Sequence, residues 1–178
     1  MNRPEDVTIV LAEDDPGHAR LIEKNLRGVI TNKLVRFGNG QEALDYLRRE
    51  EQATQQHVLL LDLNMPVMDG YQVLQQLKAD PRTVLIPVIV LTTTDDPRDI
   101  QRCYELGCNA YVVKSADYEQ FTQAMRRLGL FLTIARMPEE SGVSRSASDA
   151  PCRIGLAVSK PTGWSAPKAG KGPGGQPA

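Results

Sequence analysis

Apolar and polar positions alternate between two spacings along residues 1–138, and the spacing changes several times. VTIVLA (7–12) is a short β-branched run that ends at acidic residues. Asp15-Pro16 then reads as a helix start, with Asp as the cap and Pro at the first helical position. Apolar residues recur at Ala19, Ile22, Leu26, Val29 and Ile30, the spacing of one helical face. LVRF (34–37) is a short strand closed by Gly38-Asn39-Gly40, and Ala43, Leu44 and Leu47 line one side of a second helix. VLLLDL (58–63) is nearly all apolar, as expected of a central parallel strand covered on both faces. A loop with Pro and Gly leads to a third helix that turns Val73, Leu74 and Leu77 inward. Pro87 opens a fourth strand, VIVLT (88–92). A fourth helix starts near Pro97, carries Ile100, Cys103, Tyr104 and Leu106, and stops at Gly107. AYVV (110–113) is the fifth strand. Asp117 with Gln120 reads as a capping box for a fifth helix, whose buried face is Phe121, Ala124, Met125 and Leu128.

Five such strand–helix units predict an α/β fold. The connections are too long for hairpins, and right-handed crossovers give a parallel sheet with helices on both faces. The expected form is a five-stranded, doubly wound, flavodoxin-like sheet of order 2-1-3-4-5, with its switch point between the first and third strands.

Composition divides the chain once, after Pro138. Residues 139–178 hold seven of the 14 Gly and five of the 12 Pro, with Trp164 as their one aromatic residue. Such a segment buries too little surface to offset its ordering entropy, so a domain over 1–138 and a disordered Gly/Pro/Ser-rich tail over 139–178 are expected. The tail carries +2, from five Lys/Arg against three Asp/Glu, which leaves −3 of the net −1 on residues 1–138. That balance does not suggest a nucleic-acid binder. No apolar run reaches about 18 residues, and MNRPEDVTIV lacks the features of a signal peptide, so a cytoplasmic protein without a membrane span is expected. Cys103, Cys108 and Cys152 have no zinc-type spacing with His and read as reduced, incidental thiols. His18 and His57 have no evident partners and read as structural.

The candidate chemistry falls where the fold places a site. The first strand ends at Glu13-Asp14 and the third at Asp62. Neighbouring strand ends bring these three carboxylates together, and like charges at that distance need a cation among them. An all-oxygen site suits Mg²⁺, with Asp14 and Asp62 as direct ligands, Glu13 through water, and Asn64 through its backbone carbonyl. Thr92 ends the fourth strand and Lys114 the fifth, adding a hydroxyl donor and an ammonium. A nucleophilic carboxylate, a divalent cation, a lysine and a hydroxyl are what phosphoryl transfer to a carboxylate requires.

LAEDDPGHAR, LLLDLNMPVMDG, VIVLTTT and AYVVKS together resemble the receiver domains of bacterial response regulators, over roughly residues 6–137. The resemblance implies that Asp62 takes a phosphoryl group from the phosphohistidine of a histidine kinase or hybrid kinase in a Mg²⁺-dependent step. It also implies that Thr92 and Tyr111 form the switch pair, the threonine following the phosphate and the ring turning inward. There are two departures. Glu13 stands where Asp is commonest, and Ser115 follows Lys114 where the family usually has Pro, often cis. Without Pro a cis bond costs about 2.5–4 kcal/mol, so a different β5–α5 loop is expected.

EDDPGHARLIEKNLR, the LTT ending and Lys114-Ser115 resemble single-domain regulators associated with phytochrome-type and other hybrid kinases. There an apolar extension after the fifth helix often supports a homodimer. Here LGLFLTIARMP (128–138) is unusually apolar, and Leu128, Phe131 and Leu132 are expected to leave apolar surface beyond the sheet. A homodimer through the helix 4–strand 5–helix 5 side and residues 128–138 is therefore expected. The tail shows no helix-turn-helix pattern, so the expected output is protein–protein contact rather than enzymatic turnover or DNA binding. Two alternatives compete. A haloacid-dehalogenase-like Mg²⁺ phosphatase needs an acid two residues past its nucleophile, where this chain has Asn64. A degenerate receiver that takes no phosphate would lack key residues, and all are present here.

Overall fold

The computed structural model describes residues 7–134 apart from 50, 51, 53 and 54, with side chains described to Leu132. The tail expected over 139–178 and the last part of the apolar segment lie outside the described residues. Five strands and five helices alternate: β1 (Thr8–Ala12), α1 (Pro16–Arg27), β2 (Leu34–Phe37), α2 (Gly40–Leu47), β3 (His57–Leu61), α3 (Gly70–Ala79), β4 (Val88–Thr92), α4 (Pro97–Glu105), β5 (Ala110–Val113) and α5 (Tyr118–Ile134). The strands are parallel in the order β2-β1-β3-β4-β5, the expected doubly wound sheet.

Period-two alternation sorts the strand residues into two cores. Ile9, Leu11, Val58, Leu60, Ile89, Leu91, Ala110 and Val112 pack under α1 and α5. Val10, Ala12, Leu59, Leu61, Val88, Val90 and Tyr111 pack under α2, α3 and α4. Each fully buried aliphatic side chain adds about 1.5–3 kcal/mol over leaving it exposed, which lets strands of four or five residues hold.

Helix starts follow short polar side chains. Asp15, Asn39 and Asp96 cap α1, α2 and α4, with Pro next in line for α1 and α4. Asp69 and Gln72 form a reciprocal capping box on α3, which the D-x-x-Q spacing announces. α4 ends in a Schellman motif: Gly107, at φ +99°, donates to the Tyr104 carbonyl and Cys108 to that of Cys103. The two cysteines lie in the same buried cluster as that motif's apolar contact. Burial pushes the Cys103 thiol up to about 11 and the Cys108 thiol up to about 12, so both are poor nucleophiles at neutral pH.

Three local expectations are corrected. α1 stops at Arg27 with Gly28 as its C-cap, so Val29 and Ile30 lie beyond the helix, held by the Leu26 carbonyl. The α5 capping box is only half made. The Asp117 carboxylate accepts from Glu119 and Gln120, but Ser115 Oγ, not Gln120, takes the Asp117 N–H. Leu128 and Leu132 do not leave apolar surface: they join the α1–α5 core, and Gly129 lets α5 lie close against Val29 and Ile30. Phe131 is half-buried against the same cluster and Leu130 is exposed.

Candidate functional site

Strand register assembles the site. Ala12 pairs with Leu61, so the next residues, Glu13 and Asp62, emerge side by side. Thr92 pairs with Val113, so Lys114 emerges one step beyond the hydroxyl. Main-chain bonds extend both pairings, from Asp62 N–H to the Ala12 carbonyl at 3.0 Å and from Lys114 N–H to the Thr92 carbonyl at 2.6 Å. Gly70 at the start of α3 is required by close approach: a Cβ there would collide with the Asp62 carbonyl and the Leu63 Cα.

Glu13, Asp14 and Asp62 each offer a carboxylate oxygen within 4.8 Å of the others. Glu13 and Asp62 are buried and Asp14 faces outward. Lys114 Nζ lies 2.5 Å from Glu13 Oε2 and 3.1 Å from Asp62 Oδ2, bridging both. Burial raises the Glu13 carboxyl above its ordinary range, and the Asp62 charge adds to this while Lys114 opposes it. Three carboxylates against one ammonium leave an excess of negative charge at this strand edge. That donor set fits a divalent cation: oxygen-only, acidic and open on the Asp14 side.

Thr92 is fully buried beside this cluster, and its Oγ1 has no hydrogen-bond partner among the described residues. Tyr111 is buried with its ring inward, and its hydroxyl donates to the Thr94 carbonyl at 3.0 Å. Asn64 is exposed on the β3–α3 loop, two residues past Asp62. Glu13, Asp14, Asp62 and Lys114 thus gather at one strand edge, with Thr92 on the neighbouring strand end and Tyr111 bonded to Thr94 two residues past it. No described peptide bond is cis, so Lys114-Ser115 is trans, as the missing Pro implies.

Three neighbours escaped the sequence reading. The sequence alone gives His18 no evident partner. Its Nδ1 in fact lies 3.8 Å from Glu13 Oε1 and 3.9 Å from Asp15 Oδ1, because the α1 N-terminus folds back over the site. Arg36, the lone charge in LVRF, directs its guanidinium at the Glu13 and Asp14 carbonyls at 3.2–3.4 Å. Its place depends on the Leu11–Arg36 register, which no local pattern reveals. Val67, in the loop after Asp62, has φ +67° and is 82% exposed, a strained conformation for a β-branched residue. His57, by contrast, is buried against Gln52, and its depressed pKa follows from desolvation.

Known proteins share this arrangement. Residues 9–126 match the response regulator receiver domain family. A receiver domain from Rhodospirillum rubrum is 47% identical, with TM-score 0.70, covering 74% of this chain and 97% of that one. The phosphorylated cyanobacterial phytochrome response regulator RcpA is 37% identical, with TM-score 0.67, covering 74% of this chain and 98% of that one. Response regulator Rcp1 of Synechocystis is 32% identical over 127 residues, 69% of this chain and 86% of Rcp1. Its Mn²⁺-bound structure has TM-score 0.67 at 31% identity, covering 74% of this chain and 99% of that one. Receiver domains act in two-component signalling and bind divalent metal at an acidic pocket of this kind. With the fold, the acidic cluster and the family match in agreement, this chain belongs to the response regulator receiver domain family.

Proposed function

We propose that Asp62 is the phosphoacceptor of a two-component response regulator, charged by a histidine kinase or hybrid kinase. The observation that carries this reading is a buried Asp62 bridged to Lys114 beside an unpartnered Thr92 hydroxyl. An Asp62 carboxylate oxygen attacks phosphorus and the P–N bond of the kinase phosphohistidine breaks. The electron pair stays on the imidazole, and an aspartyl phosphate remains. Glu13, Asp14, Asp62 and the Asn64 carbonyl would hold Mg²⁺, which when bound supplies neutralising positive charge for the phosphoryl oxygens. Lys114, already 3.1 Å from Asp62, pairs with the new phosphate. Thr92 donates its free hydroxyl to a phosphoryl oxygen, and the inward Tyr111 ring occupies the space behind it. The chain modifies only its own Asp62 and turns over no external substrate.

Incubation with acetyl phosphate and Mg²⁺, read by intact mass, tests this. One phosphoryl adduct is expected on wild type and none on Asp62→Asn. Absence of an adduct on wild type, with acetyl phosphate and with any kinase, would overturn the reading.

The output is protein contact on the α4–β5–α5 side, without nucleic acid, in the cytoplasm. Exposed Val113 and Tyr118 lie on that side and support it as a contact surface. A second copy is the proposed partner there, together with residues 128–138, of which Leu130 is exposed. Sedimentation showing only monomer at tens of micromolar, phosphorylated or not, would count against self-association. The likeness to phytochrome response regulators supports a phytochrome-type kinase as a candidate donor. The receiver is taken to span 1–138, with a tail beyond it.

A further inference from the structure

Arg36 is the one charged residue of β2, and strand register carries it to the acidic edge. It pairs with Leu11 on β1, and the N–H of Glu13 donates to the carbonyl of the next β2 residue, Phe37, at 3.0 Å. From there Arg36 Nε and Nη2 donate to the Glu13 carbonyl at 3.3 and 3.2 Å, and Nη2 also donates to the Asp14 carbonyl at 3.4 Å. Among the described residues no backbone N–H takes either carbonyl. One planar fork therefore holds two successive peptide groups where the chain leaves the sheet.

That stretch of main chain carries the exposed member of the three acids. Glu13 and Asp62 are buried and tied to Lys114, whereas Asp14 faces outward. Packing does not aim the Asp14 carboxylate; its main chain does. On the α1 side that chain is fixed by Asp15, whose N–H donates to Glu13 Oε1 at 3.2 Å and whose carbonyl accepts from Ala19 at 3.0 Å. On the β2 side it is fixed by Arg36. The charge of Arg36 acts the other way, since a guanidinium beside a cation site repels the cation. Its bonds and its charge thus predict opposite effects of its removal.

We propose that Arg36 is a positioning residue for the divalent cation: by holding the Glu13 and Asp14 carbonyls, it fixes the main chain from which Asp14 offers its carboxylate. The proposal rests on the metal site of the Asp62 reading above. Groups that hold metal ligands in place typically contribute about 10–100-fold in affinity.

Mn²⁺ binding to the full chain, read from the EPR signal of the free ion, tests it, and denaturant unfolding without metal confirms that each variant titrated is folded. In Arg36→Met the Kd is expected to rise about 10-fold. Arg36→Lys keeps the charge and loses the fork, so its Kd is expected to rise by less. On an Asp14→Ala background, itself weaker than wild type, Arg36→Met is expected to add little, because the carboxylate it aims is already gone. Unchanged or tighter binding in Arg36→Met, wild-type binding in Arg36→Lys, or the full Arg36→Met loss on top of Asp14→Ala overturns the role of Arg36 and leaves the metal site standing. Where Arg36→Met does not fold, Arg36→Lys decides. Wild type that binds no Mn²⁺, or Asp14→Ala that binds it as tightly as wild type, overturns both.

Discussion

The two ends of the sheet each enclose a lysine, and the two are used differently. At the carboxyl end Lys114 bridges Glu13 and Asp62, in a cluster with more negative than positive charge and an unpartnered hydroxyl at Thr92. At the amino end Lys78 is half-buried on α3 and donates to the Val84 and Ile86 carbonyls at 2.9 and 2.7 Å. Gly107 leaves room for its stem, and Thr83 Oγ1 binds the Leu77 carbonyl nearby at 2.8 Å. Every polar group named at that end has its partner. An enclosed charge does not by itself mark a site. What separates the ends is unfinished business: surplus carboxylate and an idle hydroxyl at one, closed local bonds at the other.

Removing the two lysines should separate the ends most widely. Lys114→Met leaves two buried carboxylates unpaired and is expected to cost about 3–5 kcal/mol in chemical denaturation without metal. Mg²⁺ should recover part of that loss, about 2.7 kcal/mol at a hundred times its Kd. A loss of stability that Mg²⁺ leaves unchanged would break the comparison.

Lys78→Met is expected to cost about 1–3 kcal/mol, to be indifferent to Mg²⁺, and to leave adduct formation on Asp62 intact. Burial holds the Lys78 ammonium down to about 8, against 10.5 ordinarily. Between those values the unfolded chain binds more protons than the folded one, so this group's contribution to stability rises with pH there. Below about 8 its charged form carries a constant cost. The stability difference, wild type minus Lys78→Met, should therefore shift in favour of wild type between pH 7 and about 9.5. A difference that is flat with pH would show that the two carbonyls fully compensate the burial.

Two threonines give a smaller contrast. Thr83→Val breaks a buried bond and should cost about 1 kcal/mol. Thr92→Val, nearly the same shape, removes an unpartnered hydroxyl and should be neutral or stabilising by up to about 1 kcal/mol, while blunting the Tyr111 response. Equal costs at both positions, read from denaturation midpoints, would mean that Thr92 is already satisfied. The smallest effect belongs to Val67, where backbone strain sits beside the site. Val67→Asn should gain about 0.5–1 kcal/mol, since Asn adopts the left-handed region more readily.

Much of this was legible from residues alone, and the reason lies in period and position. The five strand runs and helical faces followed from spacing, and the Asp15 cap from residue type. The strand ends at Glu13-Asp14, Asp62, Thr92 and Lys114 followed because parallel crossovers direct every carboxyl end to one edge. Errors came where a contact depends on a distant partner. The α5 capping box read as complete from Asp117 and Gln120, but Ser115 took half of it. Leu132 reads as surplus, because nothing near it in the chain says that Val29 and Ile30 are waiting.

The amino-acid sequence by itself determined the element order, the sheet's two-faced core and the kind of chemistry its carboxyl edge carries. These rest on periodicity, turn residues and charge, all local in the chain. Only the tertiary structure decided that Lys114 spans Glu13 as well as Asp62, and that Arg36 and His18 border the acids. Those contacts are set by strand register and by how helices seat on the sheet. Both are properties of the packed whole, since a single register step in β2 would turn Arg36 to the opposite face.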